Sequence, residues 1–310
     1  MALKKSDLYS SLWQTCDALR GGMDASQYKD YVLTLLFVKY VSDKYAGRTD
    51  SLVVIPEGGG FADMVAAKGK ADMGDRVNKI IAKLAEANGL KGVIDITDFN
   101  DDEKLGKGKD MVDRLSGLVG VFENPALNFS RNRSDDDDLL GDAYEYLMRH
   151  FATESGKSKG QFLTPAEVSR IMAMIIGVQR ATRADQSVYD PTSGSASLLL
   201  KVAAATQVNL SLYGQEVDNA TKALAVMNMW LHGHPTAEIV KGNTLADPLF
   251  KDGPTQLKQF DFVVSNPPFS LKNWRSGFDP DNDLFGRFDG FGTPPPKNGD
   301  YAFLLHILKS

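Results

Sequence analysis

From Ser187 onward, short β-prone runs alternate with helical ones, and that alternation confines the fold more than any other feature of the chain. In order come SVYD, a helical stretch over 196–206, LSLYGQE, a helical stretch over 219–231, AEIVKG and FDFVVSNPP. Such alternation predicts βαβ units and a largely parallel sheet, hence an α/β fold class. In sheets of this kind ligands bind in the crevice outside the carboxyl ends of the strands. The residues that follow each strand are therefore the candidates for chemistry.

The upstream half has a different pattern. Leu8, Leu12, Cys16 and Leu19 recur at helical spacing, and Ser26 is placed to cap a second helix over 27–45. That helix is apolar on nearly every face between Tyr31 and Val41, which puts it at the centre of a helical domain. Amphipathic stretches near 77–84 and 111–118, and a loop at Gly58-Gly59-Gly60, predict further helices with long connections over 48–133. Asp135 to Asp138 precede Leu139, Ala143, Leu147 and Phe151 at four-residue spacing, and read as the cap of a helix at its positive end. TESGKSKG, over 153–160, has the small polar character of a linker. The expected division is a helical domain over 1–152, a linker over 153–159 and an α/β domain over 160–310.

Charge and cysteine content limit the possible functions. The 35 basic against 40 acidic side chains give a net charge of −5, without the excess of a protein that grips duplex DNA alone by neutralising phosphates. Any DNA contact must be a local patch or be shared with a basic partner. Cys16 is the single cysteine, so neither an internal disulfide nor a Cys-rich zinc site can form, which suits a reducing cytoplasm. The longest apolar run, near 171–178, is too short to span a bilayer, and the start MALKKSDLYSSLW has no apolar segment, so neither secretion nor membrane insertion is expected. His232 and His234 flank Gly233, but without a third ligand they read as a loop at a helix end and no metal is expected.

Four strand ends carry the candidate chemistry. Asp190-Pro191-Thr192-Ser193-Gly194-Ser195 is a strand-turn-helix with a glycine where a ligand would approach the backbone, or else a plain βα turn. It lacks the G-x-G-x-x-G spacing of a nicotinamide site. Glu216 ends the next strand, about 20 residues beyond the glycine, where an acid accepts ribose hydroxyls or simply faces solvent. Asn243 and Asp247 follow the third strand, as partners for an adenine ring or as turn residues. Gly160-Gln161-Phe162-Leu163-Thr164-Pro165 opens the first helix of the domain, with Thr164 and Pro165 placed to cap it.

Asn266-Pro267-Pro268-Phe269 after the fourth strand is the most informative tetrapeptide, although an Asn-Pro-Pro run can also be a bare strand exit. Two prolines fix the backbone and remove two donors, leaving carbonyls to accept from an amino group. An amine conjugated to an aromatic ring is a poor nucleophile because its lone pair is delocalised. Accepting its hydrogens at the Asn266 amide oxygen and the Pro267 carbonyl favours the pyramidal nitrogen of the transition state. Phe269 can stack on a base that has left the duplex.

With GQFLTP, DPTSGS, YGQE and NPPF in this order, the chain resembles the modification subunit (HsdM) of type I restriction-modification systems, within the gamma group of amino-methyltransferases. Leu12-Trp13, Leu19-Arg20-Gly21, Met23-Asp24 and residues 28–40 resemble the N-terminal domain of that family, and GDAYEYL over 141–147 its junction helix. The resemblance implies a Rossmann-like sheet dependent on S-adenosylmethionine and methylation of N6 on a DNA adenine flipped from the duplex. It also implies assembly with a specificity subunit and a restriction subunit. Gln161, Phe162, Leu163, Thr164, Pro165, Asp190, Gly194, Ser195, Ala196, Glu216, Asn243 and Asp247 would then meet the cofactor, and Asn266, Pro267, Pro268 and Phe269 the target base. Ala196 stands where the family carries a second glycine.

The family's sheet has seven strands followed by a helical region, whereas four strands precede the helix expected over 301–309. A sheet truncated in this way would expose a strand edge, and self-association is expected, with a monodisperse monomer in light scattering as the contrary result. Two other functions compete: a non-catalytic cofactor-binding or assembly module, and methylation of a protein glutamine amide.

Overall fold

The computed structural model of the chain describes residues 5–48, 50–127, 139–154 and 164–310. They fall into two compact units, Met1–Lys157 and Ser158–Ser310. The first is helical, with α1 (Lys5–Arg20), α2 (Ala25–Tyr45), α3 (Phe61–Ala67), α4 (Met73–Ala87), α5 (Asp102–Leu105), α6 (Lys109–Phe122) and α7 (Leu139–Glu154). Its centre is α2, where Tyr31, Val32, Leu33, Leu35, Leu36, Phe37, Val38, Tyr40 and Val41 are all buried. The Tyr28 hydroxyl donates to the Cys16 carbonyl at 2.6 Å and that of Tyr31 to the Asp98 carbonyl at 3.1 Å, so even the polar ends of the buried rings are satisfied. Trp13 of α1 meets Phe151 of α7 edge to face at 4.8 Å, and Ala143 and Leu147 are buried on the same helix.

Two local expectations change, and a third falls outside the described residues. Helix α2 begins at Ala25, so Ser26 lies inside its first turn and the Asp24 carbonyl takes the first bonds, from the Gln27 and Tyr28 amides. The expected aspartate cap at 135–138 lies outside the described residues. Helix α7 runs through Glu154, so residues 153 and 154 are helical, while 155–159 lie outside the description.

The second unit contains α8 (Ala166–Ile176), β1 (Ser187–Asp190), α9 (Ser197–Ala203), β2 (Ser211–Glu216), α10 (Asn219–Leu231), β3 (Glu238–Lys241), β4 (Lys251–Gly253), β5 (Gln256–Leu257), β6 (Phe262–Val263) and α11 (Asp300–Lys309). Four strands form one sheet in the order β3-β2-β1-β6, with every pairing parallel. The chain winds outward from β1 to β3 and then returns to the other side of β1 as β6. That reversal opens a crevice at the carboxyl ends of β1 and β6. Alternation sorts the two faces: Val188 and Leu212 join an apolar cluster with Leu199 of α9 and Met229 of α10, whereas Tyr189 and Tyr213 meet Phe250 and Phe260 on the opposite side.

Helix α9 is shorter than the stretch over 196–206, and β6 keeps only two ladder residues, after which the Val264 amide still donates to the Tyr189 carbonyl at 2.9 Å. The β4-β5 hairpin closes through Gly253-Pro254-Thr255, a small antiparallel addition that the βαβ pattern does not foretell. Among the described residues no helix is long and apolar enough to cross a membrane.

Candidate active site

The strand tips close around a cavity of about 450 Å³ whose wall includes Thr192, Glu216, Asn243, Thr244, Asn266 and Pro268. The turn after β1 is stitched to the tip of β2. The Ser193 amide donates to the Gln215 carbonyl and the Gly194 amide to Glu216 Oε2, each at 3.0 Å. Glu216 Oε1 accepts from the Asp218 amide at 2.9 Å. Burial outweighs these bonds and holds the Glu216 carboxyl above the usual carboxylate range. Each oxygen still has a lone pair for a hydroxyl donor.

Beneath the turn, Asp190 is only 1% exposed and accepts from the Thr192 amide at 3.0 Å. Ala196 starts α9 with φ of 64°, a left-handed conformation that costs a residue with a Cβ about 1–2 kcal/mol. The second glycine of the resembled family would fit this position without that strain. Asn228, buried on α10, donates to the Ser195 carbonyl at 2.9 Å and fixes the turn from below.

The tip of β6 is joined to the same turn, since the Thr192 and Ser265 hydroxyls share a hydrogen bond at 2.8 Å. Asn266 Nδ2 donates to the Thr164 hydroxyl at 3.3 Å. Thr164 therefore does not cap α8 as its position suggested; Pro165 is the cap residue and makes no side-chain cap bond. Pro268 lines the cavity, Pro267 between it and Asn266 is half-buried, and Phe269 stands 71% exposed. Gln161, Phe162 and Leu163 lie outside the described residues.

After β3, Asn243 and Asp247 part company. Asn243 lines the cavity, while the exposed Asp247 carboxylate approaches Lys251 at 3.5 Å and is absent from the wall. The Asp247 carbonyl accepts from Gln215 Nε2 at 2.8 Å. Asp190, Gly194, Ser195 and Ala196 are buried under the cavity and none is counted in its wall. His232 ends α10 with its ring on the Asn228 carbonyl.

The family described as N-6 DNA Methylase matches residues 135–310, more than half of the sequence. The chain belongs to this family. The family described as HsdM N-terminal domain matches residues 8–122. The type I restriction enzyme MpnII methylase subunit of Mycoplasma pneumoniae is 29% identical, over 98% of this chain and 65% of its own length. For the MjaVIII methylase subunit of Methanocaldococcus jannaschii the figures are 28%, 98% and 55%. The chain thus spans between 55% and 65% of the length of these two relatives. A solved type I restriction-modification methyltransferase subunit from Streptococcus thermophilus matches with a TM-score of 0.77 at 27% identity, covering 99% of this chain and 72% of its own. The N-6 DNA methylase fold, a parallel sheet after a helical unit, is therefore the fold of this chain.

Behind the cavity of this methylase fold lies a polar network that sequence patterning did not find. Arg287, buried, pairs with Asp283 through Nη2 at 2.6 Å and Nε at 3.0 Å, and donates to the Thr244 and Leu245 carbonyls at 3.3 and 2.8 Å. His306 of α11 faces Arg287 Nη1 through Nδ1 at 3.4 Å and the Tyr189 hydroxyl through Nε2 at 3.3 Å. Trp274 closes the far wall and donates to the Pro295 carbonyl at 2.8 Å. An arginine, a histidine and a tyrosine separated by up to 117 residues leave no local signal.

Asp190 and His306 impose opposite pH dependences on stability. Burial pushes the Asp190 carboxyl from 3.8 up to about 7, so its contribution is complete below 3.8 and drains away as pH rises through 7. Burial, aided by Arg287, pushes His306 from 6.5 down to about 3, so its contribution is complete above 6.5 and is lost as pH falls toward 3. Each slope reaches about 1.4 kcal/mol per pH unit, and between about pH 4 and 6.5 they nearly cancel. Urea midpoints for Asp190→Asn are expected to rise with pH in this window, and those for His306→Phe to fall. Two flat profiles would refute the assignment.

Proposed function

We propose that this chain transfers a methyl group from S-adenosylmethionine to the exocyclic N6 of an adenine in DNA. It does so as the modification subunit of a cytoplasmic type I restriction-modification complex, with a specificity subunit that selects the sequence and a restriction subunit. The single observation that carries this is the meeting of Glu216, Asn243 and Asn266 around one cavity at the carboxyl ends of the parallel strands.

The residues present fit an adenosyl methyl donor. Glu216 offers lone pairs to ribose hydroxyls, Thr192 of the turn over 190–196 lines the cavity beside it, and Asn243 provides an amide beside the adjacent strand tip. When bound, the donor supplies an electrophilic methyl on a sulfonium. Everything else is positioning by this chain. The Asn266 Nδ2 bond to Thr164 turns the amide so that its other edge carries the oxygen. That oxygen and the Pro267 carbonyl accept the hydrogens of the target amine and favour its pyramidal form, with no general base or metal required. Phe269, exposed beyond the wall, stacks on the extruded base.

The net charge of −5 supports dependence on a partner for DNA affinity. The test supplies the chain with methyl-tritiated S-adenosylmethionine and DNA, with and without a specificity subunit. Label in N6-methyladenine that depends on the specificity subunit is expected. A mixture that binds the donor yet labels no adenine, or equal sequence-specific labelling by the chain alone, would overturn the proposal.

A further inference from the structure

We infer that Asn243 reads the base of the methyl donor as a hydrogen-bond donor, selecting a ring nitrogen with a free lone pair rather than the exocyclic amine. The inference rests on the proposed adenosyl donor and adds the polarity of its recognition. An asparagine beside an adenine can face either way: its oxygen accepts from the amine, or its NH2 donates to a ring nitrogen. Here the loop decides. The Leu245 amide donates to Asn243 Oδ1 at 3.0 Å and the Ala246 amide at 3.3 Å. Flipping the amide would set its NH2 against two N–H donors and lose both bonds.

The loop has no freedom to relieve that conflict. The buried Gln215 side chain holds it from β2, through Nε2 to the Asp247 carbonyl at 2.8 Å and Oε1 from the Leu249 amide at 3.0 Å. Arg287 holds the Thr244 and Leu245 carbonyls, and the Thr244 hydroxyl donates to the Pro191 carbonyl. Gly242 completes the fit, because a Cβ there would lie 2.8 Å from Gln215 Nε2. With its oxygen committed to the turn and its side chain in the cavity wall, Asn243 has only Nδ2 to present. Among the described residues Nδ2 has no hydrogen-bond partner. Glu216 pairs in register with Lys241, two residues before Asn243 on the neighbouring strand. A ribose held at Glu216 therefore places its base over the tip of β3, within reach of that NH2.

Asn243→Asp keeps an oxygen for the two backbone amides and removes the donor, so it tests polarity without dismantling the turn. Calorimetry on the full chain uses S-adenosylhomocysteine and its 1-deaza, 3-deaza and 7-deaza forms, against wild type, Asn243→Asp and Asn243→Ala, with melting curves to verify folding. Asn243→Asp is expected to weaken S-adenosylhomocysteine by about tenfold, the worth of one hydrogen bond. One of the three deaza forms is expected to lose about tenfold on wild type but under about twofold on Asn243→Ala. Equal losses on both proteins for all three forms, or wild-type affinity in Asn243→Asp, would overturn the inference. If S-adenosylhomocysteine does not bind wild type at all, the cofactor proposal falls, and this inference with it.

Discussion

Asn266→Ala is expected to reduce methyl transfer to adenine by at least about a hundredfold while donor affinity stays within about threefold, because removing one preorganised transition-state contact costs on the order of 10² to 10³ in rate. The asymmetry follows from the site. Asn266 stands at the tip of β6, the strand added after the chain reverses, whereas Glu216 and Asn243 stand at the tips of β2 and β3. Its amide is aimed by Thr164, and its neighbour Ser265 is tied to Thr192, so truncating the side chain leaves the backbone corner intact. Single-turnover assays with saturating donor, paired with calorimetry of donor binding, check both halves. A kcat within about tenfold of wild type would remove Asn266 from the chemistry.

Arg287→Met is expected to destabilise the chain by about 3–5 kcal/mol, since it strands the buried Asp283 carboxylate without its partner. The two side chains are 1% and 5% exposed and joined by several hydrogen bonds. Burial pushes the Asp283 carboxyl upward, but the bonds and charge of Arg287 outweigh it and hold the group below its ordinary 3.8. The pair's contribution is therefore present above pH 3.8 and lost as the medium is acidified through the lower folded value. The double change Asp283→Leu with Arg287→Met is expected to recover much of the loss, because it buries no unpaired charge. Urea denaturation of the two variants decides. A cost under about 1 kcal/mol for Arg287→Met would show that the network is dispensable.

What the sequence reveals and conceals follows from the range of each interaction. The four parallel strands, the buried span of α2 and the strand-end motifs were legible because periodicity and turn residues act over a few positions. Asn243 and Asp247 looked alike in sequence, four residues apart in one polar loop. Only the fold separates them, by turning one into the cavity and the other toward Lys251. Gln215 was part of the YGQE motif, yet its task depends on carbonyl and amide groups more than 30 residues away. Residues 270–299, rich in Gly, Asp and Pro, carry Trp274 and Phe288 into an apolar cluster with Leu245 and Phe303, and Trp274 and Phe303 line the cavity. No local pattern announces a wall built from irregular backbone.

One cavity at the carboxyl ends of β1, β2, β3 and β6 is expected to bring the methyl donor to the Asn-Pro-Pro-Phe corner. A crystal structure of the chain with S-adenosylhomocysteine tests it most directly. Ribose hydroxyls within hydrogen-bond distance of Glu216, the base beside Asn243 and the sulfur facing Asn266 are the predicted result. A ligand bound outside this cavity, or inside it with the sulfur turned away from Asn266, would contradict the account.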